Sequence, residues 1–279
     1  MIHNYRGVED TDAYSKVADR LRQFFRAKGF MEVHTQDRLS ILAACEDPST
    51  VATFNYAGQV WPLPQTGQMW LEYELLTKPE VPGVFCLSTS FRNEQNPVPG
   101  RHKIIFPMFE FESKGGMEDL KNLEGELVEF LGFGKKGDFV HRTYDQLAAK
   151  YQTGDLSHKH ENQMEKDLGP VVFLENFPVR TSPFWNMRKN GEYANKIDVI
   201  IAGNETIGSA ERSSNPVEMR EQFRTISNGG YAKLLYDLFG KERVTSELED
   251  FLSLPFFPRF GGGIGVTRLI DGMKKYQLV

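Results

Sequence analysis

The chain has 279 residues, with 33 lysines and arginines against 38 aspartates and glutamates and a formal net charge of −5. That balance excludes a histone-like or polybasic nucleic-acid binder but leaves room for a local basic cleft. A hydrophobic fraction of 40% and a charged fraction of 25% describe an ordered globule rather than a disordered chain, and 21 phenylalanines point to a Phe-rich core.

In chain order, Tyr14, Val17, Ala18, Leu21, Phe24 and Phe25 recur at helical spacing. Thr11 is placed to cap that helix and Gly29 to end it. The run Phe30 to Thr35 alternates and predicts a strand. WPLPQT and GVFCLSTSFRNE predict strands entering or leaving turns, and IIFPMFEFES predicts another strand. Met117, Leu120, Leu123, Leu127, Val128 and Leu131 mark a helix, and VVFLENF a short buried strand. KIDVIIAGNETIGS predicts two strands joined by a turn at Gly203-Asn204. Pro216 suits the first helical position of PVEMREQFRTI. GGGIGVTRLIDGM predicts a Gly-rich strand running into a helix.

No linker, repeat or low-complexity tract interrupts the chain, so residues 1–279 are expected to form a single domain. Strands crowd the middle without alternating regularly with helices. That excludes a doubly wound parallel sheet and predicts an α+β fold with a mainly antiparallel sheet flanked by helices. The Gly-rich run matches neither GxxxxGK[ST] nor a GxGxxG at a first strand–helix turn.

Three segments carry candidate chemistry. The first is Phe91-Arg92-Asn93-Glu94, then Arg101-His102 and Phe106, then a strand with Glu110 and Glu112. An arginine at a strand end suits a phosphate, and Phe106 suits stacking on a base. The second is Asp198 and Glu205 around a turn, followed by Arg212. Two carboxylates brought together suit Mg²⁺ shared with phosphates. The third is Gly261 to Leu269, whose glycines permit close backbone approach and whose Arg268 falls near a helix start. Alone, the first segment reads equally well as a charged hairpin with surface ion pairs, while the second and third read better as a hairpin with solvated acids and as a flexible glycine turn with a capping arginine.

Taken together in this order, the set resembles the class II aminoacyl-tRNA synthetase catalytic domain. RAKGFMEVHTQ is similar to the first motif, which forms the dimer interface, FRNE…RH…F…E to the second, and GGGIGVTRL to the third. The resemblance covers about residues 10–279. LPQTGQMWLE, ACEDPSTVATF, ETIGSAER and NPVEMREQF resemble the aspartyl/asparaginyl (D/K/N) subgroup. That subgroup implies substrate-binding roles for Glu46, Thr66, Gln68, Ser209 and Arg212. It also implies ATP-binding roles for Arg92, Glu94, Arg101, His102, Phe106, Glu205 and Arg268, with Arg92 and Arg268 catalytic and Mg²⁺ on Asp198 and Glu205.

The sequence departs from the pattern in four places. Gln36 stands where the first motif ends in proline, and Ile105 where an acid precedes the stacking Phe. Leu71 stands where aspartyl enzymes place a carboxylate-reading lysine, and the Glu46 segment carries two extra residues before Phe54. No counterpart of the subgroup's anticodon-binding barrel is expected here, and with that expectation the resemblance extends to archaeal-type asparagine synthetase-related paralogues.

The implied activity is a ligase forming an aminoacyl-adenylate from ATP and aspartate or asparagine, and ligating aspartate to ammonia to give asparagine. A truncated aspartyl/asparaginyl-type tRNA ligase and a non-catalytic paralogue are the alternatives. The implied assembly is a homodimer. Two lone cysteines, Cys45 and Cys86, make no disulfide framework or four-cysteine metal site, and His158 and His160 sit in a polar stretch. With no signal-peptide-like N-terminus and no membrane-length apolar run, the expected setting is the cytoplasm.

Overall fold

The computed structural model describes residues 7–44, 48–97 and 103–279. In chain order the elements are α1 (Thr11–Ala27), β1 (Met31–Glu32), β2 (Thr53–Tyr56), β3 (Gln59–Pro62), α2 (Gln68–Thr77), β4 (Gly83–Phe91), β5 (Ile105–Lys114), α3 (Met117–Phe130) and β6 (Val140–Thr143). There follow α4 (Tyr144–Lys150), α5 (His158–Leu168), β7 (Val171–Pro178), β8 (Lys189–Asn190), β9 (Tyr193–Ile201), β10 (Asn204–Glu211), α6 (Pro216–Thr225), α7 (Gly230–Phe239), α8 (Lys241–Leu252), β11 (Arg259–Gly265) and α9 (Val266–Lys275).

The main sheet runs β1-β4-β5-β11-β10-β9-β7-β6, with β8 paired to β9. Pairing is antiparallel except for β1 with β4 and β6 with β7. The predicted α+β class with a mainly antiparallel sheet is therefore the observed one.

Alternation decides what each face of the sheet does. On β4 and β5, Phe85, Phe109 and Phe111 point to one face, where α1, α3 and α9 cover them. Phe25 of α1 sits among these rings, 5.0 Å from Phe109 and 5.1 Å from Phe111. The same face takes Ile197, Val199, Ile207 and Ile264 from the neighbouring strands. Burial of this apolar layer provides most of the driving force for folding. The opposite face carries Ser88, Ser90, Phe106, Met108, Glu110 and Glu112, and is polar because it forms a cleft. A second apolar cluster from α6, α7 and α8 encloses Trp185 and packs against Met69 and Ala210 beside that cleft.

Several local expectations are corrected. Asp10, not Thr11, caps α1; its Oδ1 accepts from Ala13 N at 2.9 Å. The strand expected over 30–35 shrinks to Met31–Glu32 at the sheet edge, where these two residues pair with β4 and the Val33 N–H adds one more hydrogen bond to the Phe85 carbonyl at 2.9 Å. β3 ends at Pro62, so the end of WPLPQT is a loop leading into α2. The β9–β10 turn is Ala202-Gly203, with φ of 52° and 77°, one residue before the expected pair. Both residues occupy the left-handed region, as a tight turn between twisted strands requires.

Candidate functional site

The cleft measures about 360 Å³ and lies on the polar face, across β4, β5, β11, β10 and β9. Its floor is bare backbone. Gly261, Gly263 and Gly265 are the cleft-facing positions of β11, between Phe260, Gly262 and Ile264 on the helix-covered side. A Cβ on Gly263 would come within 2.6 Å of the Met108 methyl, and one on Gly261 would run into the Glu112 carboxylate. The glycine run is thus required by close packing against β5 as well as by any ligand on the floor.

Arg92 and Arg268 stand at separate walls of this floor. Arg92 directly follows β4; its N–H donates to the Ile104 carbonyl (2.7 Å), and its guanidinium lies 5.9 Å from the centre of the Phe106 ring. Glu94 lines the same wall. Arg268 is the third residue of α9, and its Nη1 donates to the Glu205 carbonyl at 2.7 Å. Its side chain is 33% exposed. Arg101 and His102 lie outside the described residues, as do Glu46 and Cys45.

Asp198 and Glu205 are brought together across Gly208. A Cβ at Gly208 would sit 3.3 Å from Glu205 Oε1 and 3.6 Å from Asp198 Oδ1. Lys196, two residues earlier on the same face of β9, donates to both Asp198 oxygens at 2.6 and 2.7 Å. Two adjacent carboxylates with hard oxygens fit a magnesium ion that keeps phosphate oxygens as its other ligands. Among the described residues no cluster of three or more His, Cys, Asp or Glu side chains forms a metal site. Cys86 is buried, and His160 Nδ1 accepts from Ser157 N to cap α5.

The far end of the cleft is organised by buried acids. Glu110 accepts from the Thr66 hydroxyl, the Gly67 N–H and the Ser88 hydroxyl, which pins the loop before α2. Thr66 also accepts from Gln68 N at 3.0 Å, so its hydroxyl is engaged within the protein while the residue lines the cleft. Gln68 Nε2 donates to Glu72 at 3.1 Å. Arg212 is 2% exposed, and its Nε and Nη2 reach Glu112 at 3.1 and 2.7 Å. Burial pushes the Glu112 carboxyl up to about 7, against the opposing pull of the Arg212 guanidinium.

Ser209 lines the cleft through its backbone. Its hydroxyl donates to the Ile197 carbonyl (3.2 Å), and its Cβ would lie 2.6 Å from one added at Gly262, on the helix-covered side. The Ser209 hydroxyl therefore faces away from the cleft that the residue lines. A one-residue step along a strand reverses the face, and the bulge between Glu205 and Ile207 sets that phase.

Sequence reasoning gave no role to Glu72, Lys196 or Glu124. For Lys196 a signal existed, since it alternates in phase with Asp198. Glu124 of α3 is fully buried under the sheet, and neither carboxyl oxygen has a hydrogen-bond partner. Burial, with repulsion from Asp198 and Glu175, pushes it up to about 8. An acid held neutral in the fold but ionised when unfolded above about pH 4.5 stabilises the fold at low pH. That stability is lost as pH rises from about 4.5 to about 8. At about 1.4 kcal/mol per pH unit the effect is a few kcal/mol. Glu124→Gln is therefore expected to flatten the fall of the melting midpoint between pH 5 and 8; equal slopes for the two proteins would contradict the assignment.

The sequence profile of the class II tRNA synthetases (D, K and N) matches residues 9–278. The chain is similar to a lysine–tRNA ligase of Campylobacter jejuni subsp. doylei, 24% identical over 320 residues, covering 97% of this chain and 62% of that protein. It is similar also to the cytoplasmic aspartate–tRNA ligase 1 of Arabidopsis thaliana, 25% identical over 242 residues, 73% of this chain and 44% of that one. The chain thus spans less than two thirds of the length of these relatives. In structure it resembles asparaginyl-tRNA synthetase from Pyrococcus horikoshii complexed with asparaginyl-adenylate, with a TM-score of 0.77 and 19% identity over 95% of this chain and 65% of that chain. The Entamoeba histolytica asparaginyl-tRNA synthetase in complex with asparaginyl-adenylate gives a TM-score of 0.74 at 20% identity, over 94% and 63%.

Proposed function

The chain belongs to the class II tRNA synthetases (D, K and N), and from that premise we propose that its cleft activates an amino acid of aspartate or asparagine type with ATP. The products are an aminoacyl-adenylate and pyrophosphate. The observation that carries this reading is the pair of arginines, Arg92 and Arg268, at separate walls of a side-chain-free glycine floor. In this reading a carboxylate oxygen of the amino acid attacks the α-phosphorus, and the bond from that phosphorus to the pyrophosphate oxygen breaks. The carboxylate is already a nucleophile, so the residues act by positioning and by neutralising charge.

Arg92 holds the α-phosphate and the incoming carboxylate, Arg268 the departing pyrophosphate end, and Phe106 stacks on the adenine. Glu94 accepts from the adenine edge. Arg101 and His102 contribute to the ATP site and Glu46 to the substrate ammonium. Gln68 and Arg212 line the amino-acid end, with Thr66 shaping the loop beneath it. Asp198 and Glu205 would hold Mg²⁺, which supplies charge neutralisation on the phosphates when bound. The same reading includes a second copy paired across the α1–β1 edge.

For the acceptor we infer ammonia. Its nitrogen attacks the acyl carbon, the carbon–oxygen bond to AMP breaks, and a proton leaves the nitrogen, giving asparagine when the side-chain carboxylate of aspartate was activated. A small acceptor accords with the net charge of −5, since tRNA recognition relies on basic surface. Incubating the protein with ATP, Mg²⁺, labelled aspartate and ammonium is expected to yield labelled asparagine and AMP. Labelled aminoacyl-tRNA formed instead of asparagine would replace ammonia by tRNA as the acceptor.

Among the described residues no helix is long and apolar enough to cross a membrane.

A further inference from the structure

Among the basic residues that line the cleft, Lys196 belongs to none of the segments that carry the family resemblance. Lys196 lines the cleft from β9, and its side chain is only 16% exposed. Its ammonium bridges the two Asp198 oxygens and lies 3.8 Å from the centre of the Phe177 ring. In the β9–β10 register Lys196 stands opposite Ala210, two residues before Arg212. Lys196 and Arg212 are therefore diagonal neighbours on the same face, a separation that long side chains span.

Leu71, the position at which a carboxylate-reading lysine was expected, is fully buried. It packs with Leu75, Val84 and Cys86, away from the cleft lining. Arg212, for its part, is bound to Glu112 through two of its nitrogens. The basic side chain standing beside Arg212 at the amino-acid end is thus Lys196.

Resting on the proposed amino-acid activation, we propose that Lys196 determines substrate charge: its ammonium pairs with the side-chain carboxylate of a dicarboxylic amino acid, the group that the amide lacks. The cleft consequently takes an acidic amino acid in preference to its amide. Asp198 keeps the ammonium in place in the ligand-free cleft. When a divalent cation arriving with nucleotide shares that carboxylate, the flexible four-carbon stem carries the charge toward Arg212. Nucleotide with Mg²⁺ and acidic substrate therefore strengthen each other's binding, as coupled ligands must.

A charge-assisted hydrogen bond in a part-buried site corresponds to about a 10- to 100-fold preference. The test is calorimetry on the full chain with a non-hydrolysable ATP analogue and Mg²⁺, titrating aspartate and asparagine separately. Wild-type protein is expected to favour aspartate by about 10- to 100-fold. Lys196→Met should bring the two affinities within a few-fold, while Lys196→Arg retains the preference; a melting midpoint close to that of the wild type certifies that each variant is folded. Omitting Mg²⁺ is expected to weaken aspartate binding to the wild type and to leave Lys196→Met unaffected. An undiminished aspartate preference in Lys196→Met, or equal affinities in the wild type, overturns the assignment of Lys196 and leaves amino-acid activation standing. Wild-type protein that binds the nucleotide and neither amino acid overturns both.

Discussion

Replacing Arg268 by alanine is expected to slow adenylate formation by about a hundredfold to a thousandfold, the usual cost of removing one preorganised stabiliser of developing charge. The side chain is one third exposed and reaches the rest of the protein through a hydrogen bond to the Glu205 carbonyl and a long approach, 4.0 Å, to the Glu205 carboxylate. Its removal therefore leaves the melting midpoint nearly unchanged. Single-turnover adenylation and differential scanning fluorimetry on the same sample separate the two quantities. A variant with near-normal adenylation would remove Arg268 from the chemistry, and one with a collapsed midpoint would make its role structural. Arg92→Ala is expected to behave alike, because its guanidinium also meets the cleft beside Phe106.

The largest stability effect is expected at Arg259, which opens β11 and is fully buried. Its Nε and Nη2 donate to Glu72 Oε2 at 2.9 and 2.6 Å, and its Nη1 donates to the Ser213 carbonyl at 3.0 Å. The other Glu72 oxygen accepts from Asn186 (2.6 Å) and Gln68 (3.1 Å). Arg259→Ala leaves Glu72 as an uncompensated charge in the interior, a loss of about 3–5 kcal/mol, or on the order of 10 °C in melting midpoint for a chain of this size. Replacing both partners by apolar side chains of similar volume, Glu72→Met with Arg259→Met, removes the stranded charge and is expected to recover most of the midpoint. The double variant also frees the Gln68 amide, so it should regain stability without regaining substrate affinity. Chemical denaturation of the two variants beside the wild type checks the order; a double variant less stable than Arg259→Ala would contradict it.

What the sequence made legible was local. The 3.6-residue period of α1 and α3, the proline that opens α6 and the Gly-rich passage from β11 into α9 depend on nearby residues only, and each stands where its pattern placed it. Arg92, Arg212 and Arg268 could likewise be named from the segments that carry them, and all three line one cleft. What escaped was long-range. Glu112 and Arg212 are 100 residues apart in the chain, and Glu72 and Arg259 are 187 apart. No period couples such positions; the sheet order does. The same holds for Ser209, whose face depends on a bulge that pattern alone does not reveal. α7 and α8, whose N-caps Gly229 and Gly240 provide no capping side chain, also went unread. Lys196 escaped for another reason: its alternation in phase with Asp198 places it on the same face, but does not by itself distinguish a lysine bound to that carboxylate from a solvated one.

Amino-acid-dependent exchange of labelled pyrophosphate into ATP tests the central claim most directly, since it reads formation of the adenylate whatever the later acceptor. The expected result is Mg²⁺-dependent exchange stimulated by aspartate or asparagine and abolished by Arg268→Ala. Absence of exchange with every amino acid, from protein that is folded and binds ATP, would contradict the account.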